Sequence, residues 1–390
     1  MTDIVVIGGG IHGAGVAQAA AAAGHQVLVL EKQSLAYGTS SRSSKLVHGG
    51  LRYLESGQFG LVRESLEERA LMLRLAPELV TLRPFFIPVY PETRRRPWQL
   101  TLGLAAYAAL AGLGRTSRFG RLPRHQWERL DGLDTRGLQA VFRYFDAQTD
   151  DALLTQAVMK SATSLGAQLA LPAEFAGAEI TRAGVRVRYR EGAAERECDA
   201  RVLVNAAGPW APRISRLVTP APSVPLLDLV QGTHIILPGG VQRGIYYVES
   251  PQDGRAVFVI PWKGAVMVGT TETSFEGDPD EVRPLASEID YLLAVLARYF
   301  PAWRGVQPGA VRSAFAGLRV LPGGRGGAFH RRRETLLEVD DPQRPRFLAL
   351  YGGKLTGWRS TAARALDRLR PSLPARRARA DTRMLRLEPP

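Results

Sequence analysis

Cysteine is almost absent from this chain of 390 residues, in which Cys198 is the single example. One cysteine excludes an internal disulfide framework and a CxxC redox pair, and we expect it to be a small buried residue near a strand. The six histidines are scattered without the HxH or HxxxH spacing of metal sites, so no metal is predicted. GxSxG and Walker motifs are also absent.

Long hydrophobic runs are missing as well. The nearly uncharged segment 98–114, with arginines on both sides, is shorter than the roughly twenty residues that span a bilayer. Two interpretations stay open for it: a helix buried against a second domain, or an interfacial helix whose flanking arginines contact lipid head groups. The first residues enter a strand at once, without a basic leader. This start indicates a cytoplasmic protein, or one held peripherally on the cytoplasmic face of the inner membrane.

Acidic residues are outnumbered by basic ones, 37 against 51, which leaves a net charge of +14. Such a balance suits anionic partners, namely phosphorylated metabolites, acidic lipid surfaces or nucleic acid. Zinc-finger, RRM and basic-zipper signatures are absent, so nucleic acid is not expected. Hydrophobic content of 45% and charged content of 23% are globular values, and the length favours two interleaved domains.

The N-terminal segment predicts a nucleotide-binding βαβ unit. The apolar run DIVVIGGG precedes an alanine-rich helical stretch and a second apolar run, QVLVLEK. Gly8, Gly10 and Gly13 form GxGxxG, in which the glycines permit a tight turn, close approach to a pyrophosphate and close helix–strand packing. Glu31 ends the second strand, where a carboxylate accepts hydrogen bonds from both ribose hydroxyls. The pattern predicts a dinucleotide without a 2′-phosphate.

Two later segments favour FAD over NAD. VLVNAAGPW (202–210) is an apolar strand that ends in small residues, and LYGGKLTGW (350–358) repeats the order of strand, glycine pair and helix start. A flavin needs backbone contacts beyond the first glycine loop, and a helix N-terminus at 354–356 suits its pyrimidine ring. Between these segments, alternating runs such as THIIL, AVFVIPW and AVMVGTTET predict an antiparallel sheet, with a hairpin turn at Lys263 and Gly264.

The chain resembles FAD-dependent glycerol-3-phosphate dehydrogenases from Asp3 to about Arg370. The resemblance rests on IVVIGGGIHGAGVA, TSSRSSKLVHGGLRYLE, VNAAGPWA, QGTHIIL, FVIPW, GTTETSFEGDP, AGLRVL and YGGKLTGWR, which occur in the family's order. It implies oxidation of sn-glycerol 3-phosphate to dihydroxyacetone phosphate by hydride transfer to flavin N5. Electrons then pass to a membrane quinone, or to oxygen in soluble members. The family usually carries a further C-terminal helical domain, so the resemblance is to a form without it.

The resemblance also implies an α/β fold, in which a glutathione-reductase-like, Rossmann-type FAD domain is interleaved with an antiparallel-sheet substrate domain. We predict that residues 1–83, 146–215 and 331–371 form the FAD domain, while 84–145 and 216–330 form the substrate domain. The Pro/Arg-rich tail 372–390 is expected to be loosely held.

Substrate-site roles follow from the resemblance and from the needs of alcohol oxidation. Arginines suit a phosphate dianion because their planar donors bind two oxygens at once, and a neutral histidine accepts the hydroxyl proton. His234 is the predicted general base, and Lys354 and Thr356 are expected between flavin and substrate. The residues assigned to substrate or catalysis are Arg52, Tyr53, His234, Arg319, Arg332, Lys354 and Thr356.

The predicted FAD contacts form a larger set that follows the glycine loop, the serine-rich motif and the two later segments. His48 is placed closer to the flavin, or to a structural hydrogen bond, than to the substrate. The set is Gly8, Gly10, Ile11, His12, Gly13, Glu31, Lys32, Thr39, Ser40, Ser41, Ser44, Lys45, His48, Gly49, Gly50, Ala207, Gly208, Trp210, Gly353, Lys354, Leu355 and Thr356.

Two rival functions stay open. One is an amine, amino-acid or 2-hydroxyacid oxidase of the same flavoprotein superfamily, since a carboxylate also binds arginine. The other is a flavin-binding protein of the membrane surface that catalyses no reaction. The retained residue types at Arg52, His234, Arg319 and Lys354 argue against the second.

Overall fold

Two β-sheets organise the chain in the computed structural model, which describes residues 1–324 and 335–390. We number the described strands β1 to β19 along the chain. The first sheet contains nine of them: β1 (Thr2–Ile7), β2 (Val27–Leu30), β7 (Gln168–Ala170), β8 (Ala173–Ile180), β9 (Val185–Glu191), β10 (Ala194–Asn205), β11 (Val218–Thr219), β18 (Leu336–Val339) and β19 (Phe347–Tyr351).

The centre of the first sheet is parallel, in the order β7, β2, β1, β10, β19. Val5 and Val6 are fully buried, as expected for a strand covered on both faces. In the registered pairs, Ile7 lies opposite both Leu30 and Asn205, and Asn205 lies opposite Ala349. The carboxyl ends of four strands therefore meet at one edge of the sheet.

The second sheet contains the ten remaining described strands and is antiparallel except for the parallel pair β4 and β13. Its members come from both halves of the chain. They are β3 (Leu46–Val47), β4 (Val80–Val89), β5 (Gly120–Arg121), β6 (Ala140–Thr149), β12 (Leu227–Leu237), β13 (Ile245–Glu249), β14 (Ala256–Trp262), β15 (Ala265–Gly269), β16 (Thr273–Phe275) and β17 (Ser313–Pro322).

Seven α-helices in the described ranges cover these sheets. They are α1 (Ile11–Ala22), α2 (Phe59–Leu75), α3 (Pro97–Leu110), α4 (Asp151–Ser164), α5 (Ala211–Ser215), α6 (Ala286–Tyr299) and α7 (Trp358–Leu369). Helices α1, α4 and α7 share one apolar core with the parallel strands. Gly15 permits the close crossing of α1 and α7, since a Cβ there would lie 2.8 Å from the Trp358 ring. Helices α2 and α3 pack on one face of the second sheet, and α6 packs on the other.

Several predicted elements are confirmed. Strand, glycine turn, helix and strand occur in β1, α1 and β2, and the helix expected over 59–75 is α2. Lys263 and Gly264 both have positive φ in the turn between β14 and β15, as a two-residue hairpin requires. The sequence therefore identified local elements well wherever hydrophobic period and turn residues agreed. Cys198 lies in β10 as expected near a strand, but it is half-buried instead of buried.

The expectation of a loosely held tail is wrong, because residues 372–390 pack against the ends of α1 and α2. The Arg379 amide donates to the carbonyl of Ala22 at the end of α1, and the Leu387 amide donates to the carbonyl of Leu75 at the end of α2. Leu387 is 3% exposed. The Arg376 guanidinium also pairs with the buried carboxylate of Asp3 at 3.0 Å. Backbone hydrogen bonds and a side-chain ion pair thus hold residues 372–390 in place, although the Pro/Arg-rich composition of this segment suggested a loosely held tail.

Two of the predicted domain limits fall inside strands of the second sheet instead of between elements. The limit at 83/84 falls inside β4, the limit at 145/146 falls inside β6, and β3 pairs with β6 in the second sheet. The chain therefore enters the second sheet earlier, and leaves it later, than the sequence suggested. The composition gave no signal there, because paired strands continue across each limit.

Helix α3 combines features of both interpretations of segment 98–114. Leu100, Leu104 and Tyr107 are buried against the second sheet. Trp98 and Leu102 on the other side are 63% and 62% exposed. None of the helices in the described part of the chain is both long and apolar enough to cross a membrane.

Candidate active site

The glycine loop between β1 and α1 leaves no room for side chains. Gly8 has φ +105°, and a Cβ on it would lie 2.8 Å from the Ala206 carbonyl oxygen. A Cβ on Gly13 would lie 1.9 Å from the Gly8 carbonyl oxygen. Gly10 is the N-cap residue of α1 and has no side chain that could cap the helix. The amide of Ile11, the first helical residue, instead donates to Ser40 Oγ at 2.9 Å. The positive end of the α1 dipole therefore faces a cradle suited to a diphosphate.

Glu31 is fixed at the end of β2 by two backbone donors. The Gly9 amide donates to its Oε2 at 2.7 Å, and the Gln33 amide donates to its Oε1 at 2.8 Å. The carboxylate is 8% exposed and lies on the cavity wall beside the glycine loop. A rigidly held carboxylate at this place suits a ribose diol, as predicted from its spacing.

A cavity of about 580 Å³ starts at this loop and continues to the second sheet. Its walls come from the carboxyl ends of β1, β2, β10 and β19, and from β12, β14 and β17. Ligands in open α/β sheets bind outside the carboxyl ends of the strands. Most of the predicted FAD contacts line it: Gly8, Gly10, Ile11, His12, Glu31, Lys32, Thr39, Ser40, Ser44, His48, Gly50, Ala207, Gly208, Trp210, Gly353, Lys354, Leu355 and Thr356.

Four of the predicted FAD contacts do not line the cavity: Gly13, Ser41, Lys45 and Gly49. Gly13 still shapes the loop from below, and Gly49 makes room for Leu66 and Tyr107, whose hydroxyl accepts from the Gly49 amide at 2.8 Å. Lys45 Nζ is directed into the protein, because it is buried and lies 2.5 Å from Asp151 Oδ1 and from the Ser41 carbonyl oxygen. The Lys45 ammonium, which was expected to contact the flavin, thus forms an ion pair with Asp151.

His234 lies at the second-sheet end of the cavity and is 2% exposed. Its ring stacks on Phe315 with 5.0 Å between centroids, and Nε2 lies 2.9 Å from Ser44 Oγ. Gly269, opposite His234 in β15, leaves space for the ring, since a Cβ there would lie 2.1 Å from Cδ2. Burial, with the nearby cations of Lys45 and Arg319, lowers the pKa of His234 to about 3. The imidazole is therefore neutral at physiological pH.

Arg319 on β17 enters the same end of the cavity. Its Nη2 donates to the Thr271 carbonyl oxygen at 3.0 Å, and its Nη1 lies 3.5 Å from Glu272 Oε1. These contacts hold the guanidinium while 24% of the side chain stays accessible. A held but accessible arginine suits an anionic group of a ligand.

Arg52, Tyr53 and Lys354 also line the cavity. The Lys354 ammonium lies 3.7 Å from the centroid of the Tyr53 ring, a close cation–π contact that fixes both side chains. Arg52 is near enough to Tyr247 to affect its titration electrostatically. Three of the predicted substrate cations are thus brought to one cavity. The fourth, Arg332, lies outside the described residues.

Thr356 and His48 are joined through the backbone. The His48 amide donates to Thr356 Oγ1 at 3.1 Å, and that hydroxyl donates to the His48 carbonyl oxygen at 3.2 Å. The hydroxyl of Thr356, predicted to lie between flavin and substrate, thereby ties β3 to the start of α7. One of the two roles expected for His48 was a structural hydrogen bond. Its backbone amide and carbonyl make such bonds with Thr356.

Sequence reasoning missed several groups at the substrate end. Tyr247, Arg255, Phe258 and Glu272 all line the cavity, although none stood out by spacing. They come, in this order, from β13, the loop before β14, β14 itself and the loop after β15. An alternating pattern along a strand does not distinguish a side chain that contacts a ligand from one that packs in the core. Glu272, the first of three acidic residues in GTTETSFEGDP, was the available signal, because a carboxylate that follows an apolar strand needs a partner.

A buried carboxylate behind this wall was missed too. Glu288 of α6 is 4% exposed and accepts from the hydroxyls of Thr233, Thr271 and Thr273, from Gln231 Nε2 and from the Leu285 amide. The donors lower its pKa, against the opposing effect of burial. The carboxylate ties β12, which carries His234, to the loop that holds Arg319.

The cavity suits FAD. The glycine cradle, the α1 N-terminus and Glu31 provide for a diphosphate and a ribose. The Nδ1 atom of His12, the second residue of α1, is buried with no hydrogen-bond partner among the described residues. Burial lowers the pKa of His12 to about 4, with a smaller effect of Arg364, and Gly353 admits the ring because a Cβ would lie 2.1 Å from Nε2.

Known proteins resemble this chain along most of its length. The model of the family described as FAD dependent oxidoreductase matches residues 3–366. The chain is 36% identical over 379 residues to D-erythritol 1-phosphate dehydrogenase of Brucella abortus, across 95% of this chain and 74% of the relative. It is 35% identical over 381 residues to the aerobic glycerol-3-phosphate dehydrogenase of Escherichia coli, across 95% and 73%.

A solved structure agrees with the fold. The glycerol-3-phosphate dehydrogenase of Bacillus halodurans, complexed with FAD, is similar with a TM-score of 0.77 and 27% identity. The match covers 99% of this chain and 68% of that one. An α/β fold with a Rossmann-type nucleotide-binding sheet is therefore confirmed.

Proposed function

The chain belongs to the FAD-dependent oxidoreductase family, with FAD as its cofactor, and we propose that it oxidises sn-glycerol 3-phosphate to dihydroxyacetone phosphate. The observation that carries this proposal is the set of cations on the cavity wall. Arg52, Arg319 and Lys354 line the cavity from three separate segments of the chain, and so does His234, whose imidazole is neutral. A phosphate dianion gains most from such a group of cations.

When bound, FAD would supply a two-electron acceptor for the hydride that leaves the substrate carbon. Arg52, Arg319 and Lys354 hold the phosphate, which fixes the carbinol in one place and removes much of the entropy cost of reaction. His234 receives the hydroxyl proton, because its imidazole is uncharged at neutral pH. The pKa of His234, which is low in the substrate-free protein, should rise when a dianion binds nearby, since an anion stabilises the imidazolium.

A second substrate deserves its own test, because the Brucella relative is named for D-erythritol 1-phosphate. That molecule has the same phosphate and a longer polyol chain. Glu272, which lies on the cavity wall 3.5 Å from Arg319, offers an acceptor for an additional hydroxyl. Relative kcat/KM for the two polyol phosphates decides between these candidates.

Anaerobic flavin reduction tests the proposal directly. The purified yellow protein is mixed with glycerol 3-phosphate, D-erythritol 1-phosphate, glycine, proline or lactate, and the oxidised flavin band near about 450 nm is followed. We expect bleaching by a polyol phosphate alone. Bleaching by an amino acid or by lactate in place of the phosphates contradicts the proposal and favours an oxidase. No bleaching by any of them favours a flavin protein without turnover.

The electron acceptor is proposed to be a membrane quinone, reached by peripheral binding to an anionic membrane. Exposed Trp98 and Leu102 on α3 provide an apolar surface, and Arg94, Arg96 and Arg118 are exposed beside it. Apolar insertion combined with basic residues is typical of interfacial binding to acidic lipid.

Sedimentation with lipid vesicles tests this part. We expect binding to phosphatidylglycerol vesicles, weaker binding to phosphatidylcholine vesicles, and a several-fold loss in Leu102→Glu. The control Leu153→Ser changes an exposed leucine of α4 and should bind as the parent does. Equal sedimentation of both variants removes α3 as the contact, and faster flavin reoxidation by oxygen than by a quinone contradicts the proposed acceptor.

A further inference from the structure

The imidazole of His234 is closed on nearly every side. Phe315 stacks on its face with an interplanar angle of 13°, and the backbone of Gly269 lies against its Cδ2 edge. Its Nδ1 is buried and has no hydrogen-bond partner in residues 1–324 and 335–390. Its Nε2 lies 2.9 Å from Ser44 Oγ. One ring nitrogen is therefore sealed, and the other meets a hydroxyl.

This closure limits how a substrate can reach the base. An atom without solvent-accessible surface cannot accept a hydrogen bond from a ligand unless a neighbouring group moves. Ser44 is only half-buried and lines the cavity. A hydroxyl can accept one hydrogen bond while it donates another. Ser44 therefore lines the cavity and also contacts the one ring nitrogen that has a polar neighbour.

The loop that carries Ser44 is anchored on both sides of it. Asp151, fully buried at the start of α4, accepts from the Ser43 amide at 3.0 Å and from Ser43 Oγ at 2.6 Å. The same carboxylate binds Lys45 Nζ, and Lys45 has a positive φ of 61°. A residue other than glycine in that conformation is held by its surroundings. Ser44 Oγ is thus fixed on His234.

We propose that Ser44 relays the hydroxyl proton of the substrate to His234, an inference that rests on the proposed function. The substrate O–H proton moves to Ser44 Oγ as the C–H bond breaks, and FAD, when bound, would accept the electron pair of that bond. The Ser44 proton moves to His234 Nε2, and the C–O single bond becomes the carbonyl. Ser44 ends as it began, the imidazole gains one proton, and the substrate loses two electrons to the cofactor.

Histidine tautomers test the resting hydrogen bond without turnover. For Ser44 to donate, His234 Nε2 must carry the lone pair and Nδ1 the proton. In substrate-free protein labelled with ¹⁵N-histidine, we expect the Nδ1–H tautomer, assigned by loss of the signal in His234→Asn. In Ser44→Ala the Nε2 resonance should shift, because its donor is lost. An Nε2–H tautomer in the parent protein overturns the relay.

Reduction kinetics test the relay itself. Ser44→Ala should lower the anaerobic reduction rate at saturating glycerol 3-phosphate by about 100-fold, within the usual range for proton-transfer catalysis. Flavin content should stay unchanged, and Ser44→Thr should recover part of the rate. The control Ser56→Ala removes an exposed hydroxyl that donates to the Tyr53 carbonyl oxygen, and should react as the parent does.

The outcomes separate the two claims. A parent protein that glycerol 3-phosphate does not reduce contradicts the proposed function, whereas the tautomer measurement still judges the hydrogen bond. A parent that reacts normally beside an equally fast Ser44→Ala overturns the relay alone. Loss of FAD from Ser44→Ala also overturns it, because Ser44 then acts as a cofactor contact.

Discussion

The two ends of the cavity are built in different ways. At the nucleotide end, Gly8, Gly10, Gly13 and Glu31 lie within 24 residues of sequence and act through backbone and one carboxylate. At the substrate end, Arg52, His234, Arg319 and Lys354 come from segments far apart and act through side chains. The first end is encoded locally, whereas the second exists only when the interleaved sheets are assembled.

The supports of the two ends differ accordingly. The glycine loop depends on space, because a single added carbon meets backbone at 1.9 Å. The substrate end depends on buried polar groups behind it, such as Glu288 and the Lys45–Asp151 pair. Breaking one partner of a buried charged pair is strongly destabilising, since the other charge is left uncompensated. Mutations should therefore act by steric exclusion at one end and by loss of positioning at the other.

The largest effect is expected from Gly13→Ala at the nucleotide end. Its Cβ would collide with the Gly8 carbonyl oxygen, so the loop must move away from the conformation that receives the diphosphate. We expect at least a tenfold loss of bound flavin per protein, measured by absorbance after purification. Gly60→Ala on α2, where a Cβ would meet nothing within 4 Å, is the matched control and should keep its flavin. A fully yellow Gly13→Ala contradicts the steric account.

The next effect is on substrate binding, with flavin unaffected. Arg319→Met should raise the KM for glycerol 3-phosphate by about 10- to 100-fold, because charge-assisted hydrogen bonds contribute about 1.5–3 kcal/mol. Steady-state assays and flavin absorbance measure both quantities in one preparation. Arg63→Met removes an exposed arginine paired with Glu67 in α2 and should change neither. Loss of FAD in Arg319→Met would show that the two ends are not separable.

A smaller effect should come from the carboxylate behind the substrate wall. Glu288→Gln replaces an acceptor of five hydrogen bonds by a group that also donates, so we expect about 1–3 kcal/mol of lost stability. The KM should rise as the Thr271 carbonyl that holds Arg319 is displaced. Thermal unfolding and kinetics measure the two effects, and unchanged KM with unchanged melting rejects the positioning role.

Sequence reasoning succeeded at the nucleotide end for a physical reason. The spacing of Gly8, Gly10, Gly13 and Glu31 reports directly on a turn, a helix start and a strand end. The local fold agrees with the prediction, and Gly8, Gly10 and Glu31 line the cavity. Ser40, whose Oγ accepts from the Ile11 amide, was also placed on this wall.

It succeeded less at the substrate end, because residue type does not fix direction. Lys45 looked like a flavin contact, yet its ammonium turns inward to Asp151, more than a hundred residues away. Glu288 lies in a helix whose pattern is merely amphipathic, and its five donors come from other segments. Such partners are set by tertiary assembly, which a motif does not contain.

The smallest effect concerns pH and the nucleotide end without its cofactor. The pKa of His12 is lowered to about 4, so the folded apoprotein keeps this ring neutral while the unfolded chain protonates it near 6.5. The unfolded state then binds more protons, and stability must fall as the pH drops from 6.5 towards 4, by up to about 1.4 kcal/mol per unit. His12→Asn should make this slope shallower in chemical denaturation of flavin-free protein, whereas His234, whose pKa is lowered to about 3, continues to contribute to it. An identical slope in the variant contradicts the assignment.

The most direct test of the central claim is anaerobic flavin reduction by glycerol 3-phosphate beside glycerol at equal concentration. The two compounds share the carbinol and differ in the phosphate that Arg52, Arg319 and Lys354 are proposed to hold. We predict rapid bleaching of the flavin band by glycerol 3-phosphate, none by glycerol on the same time scale, and a slower response in Arg319→Met. Equal bleaching by both compounds, or by neither, contradicts the account.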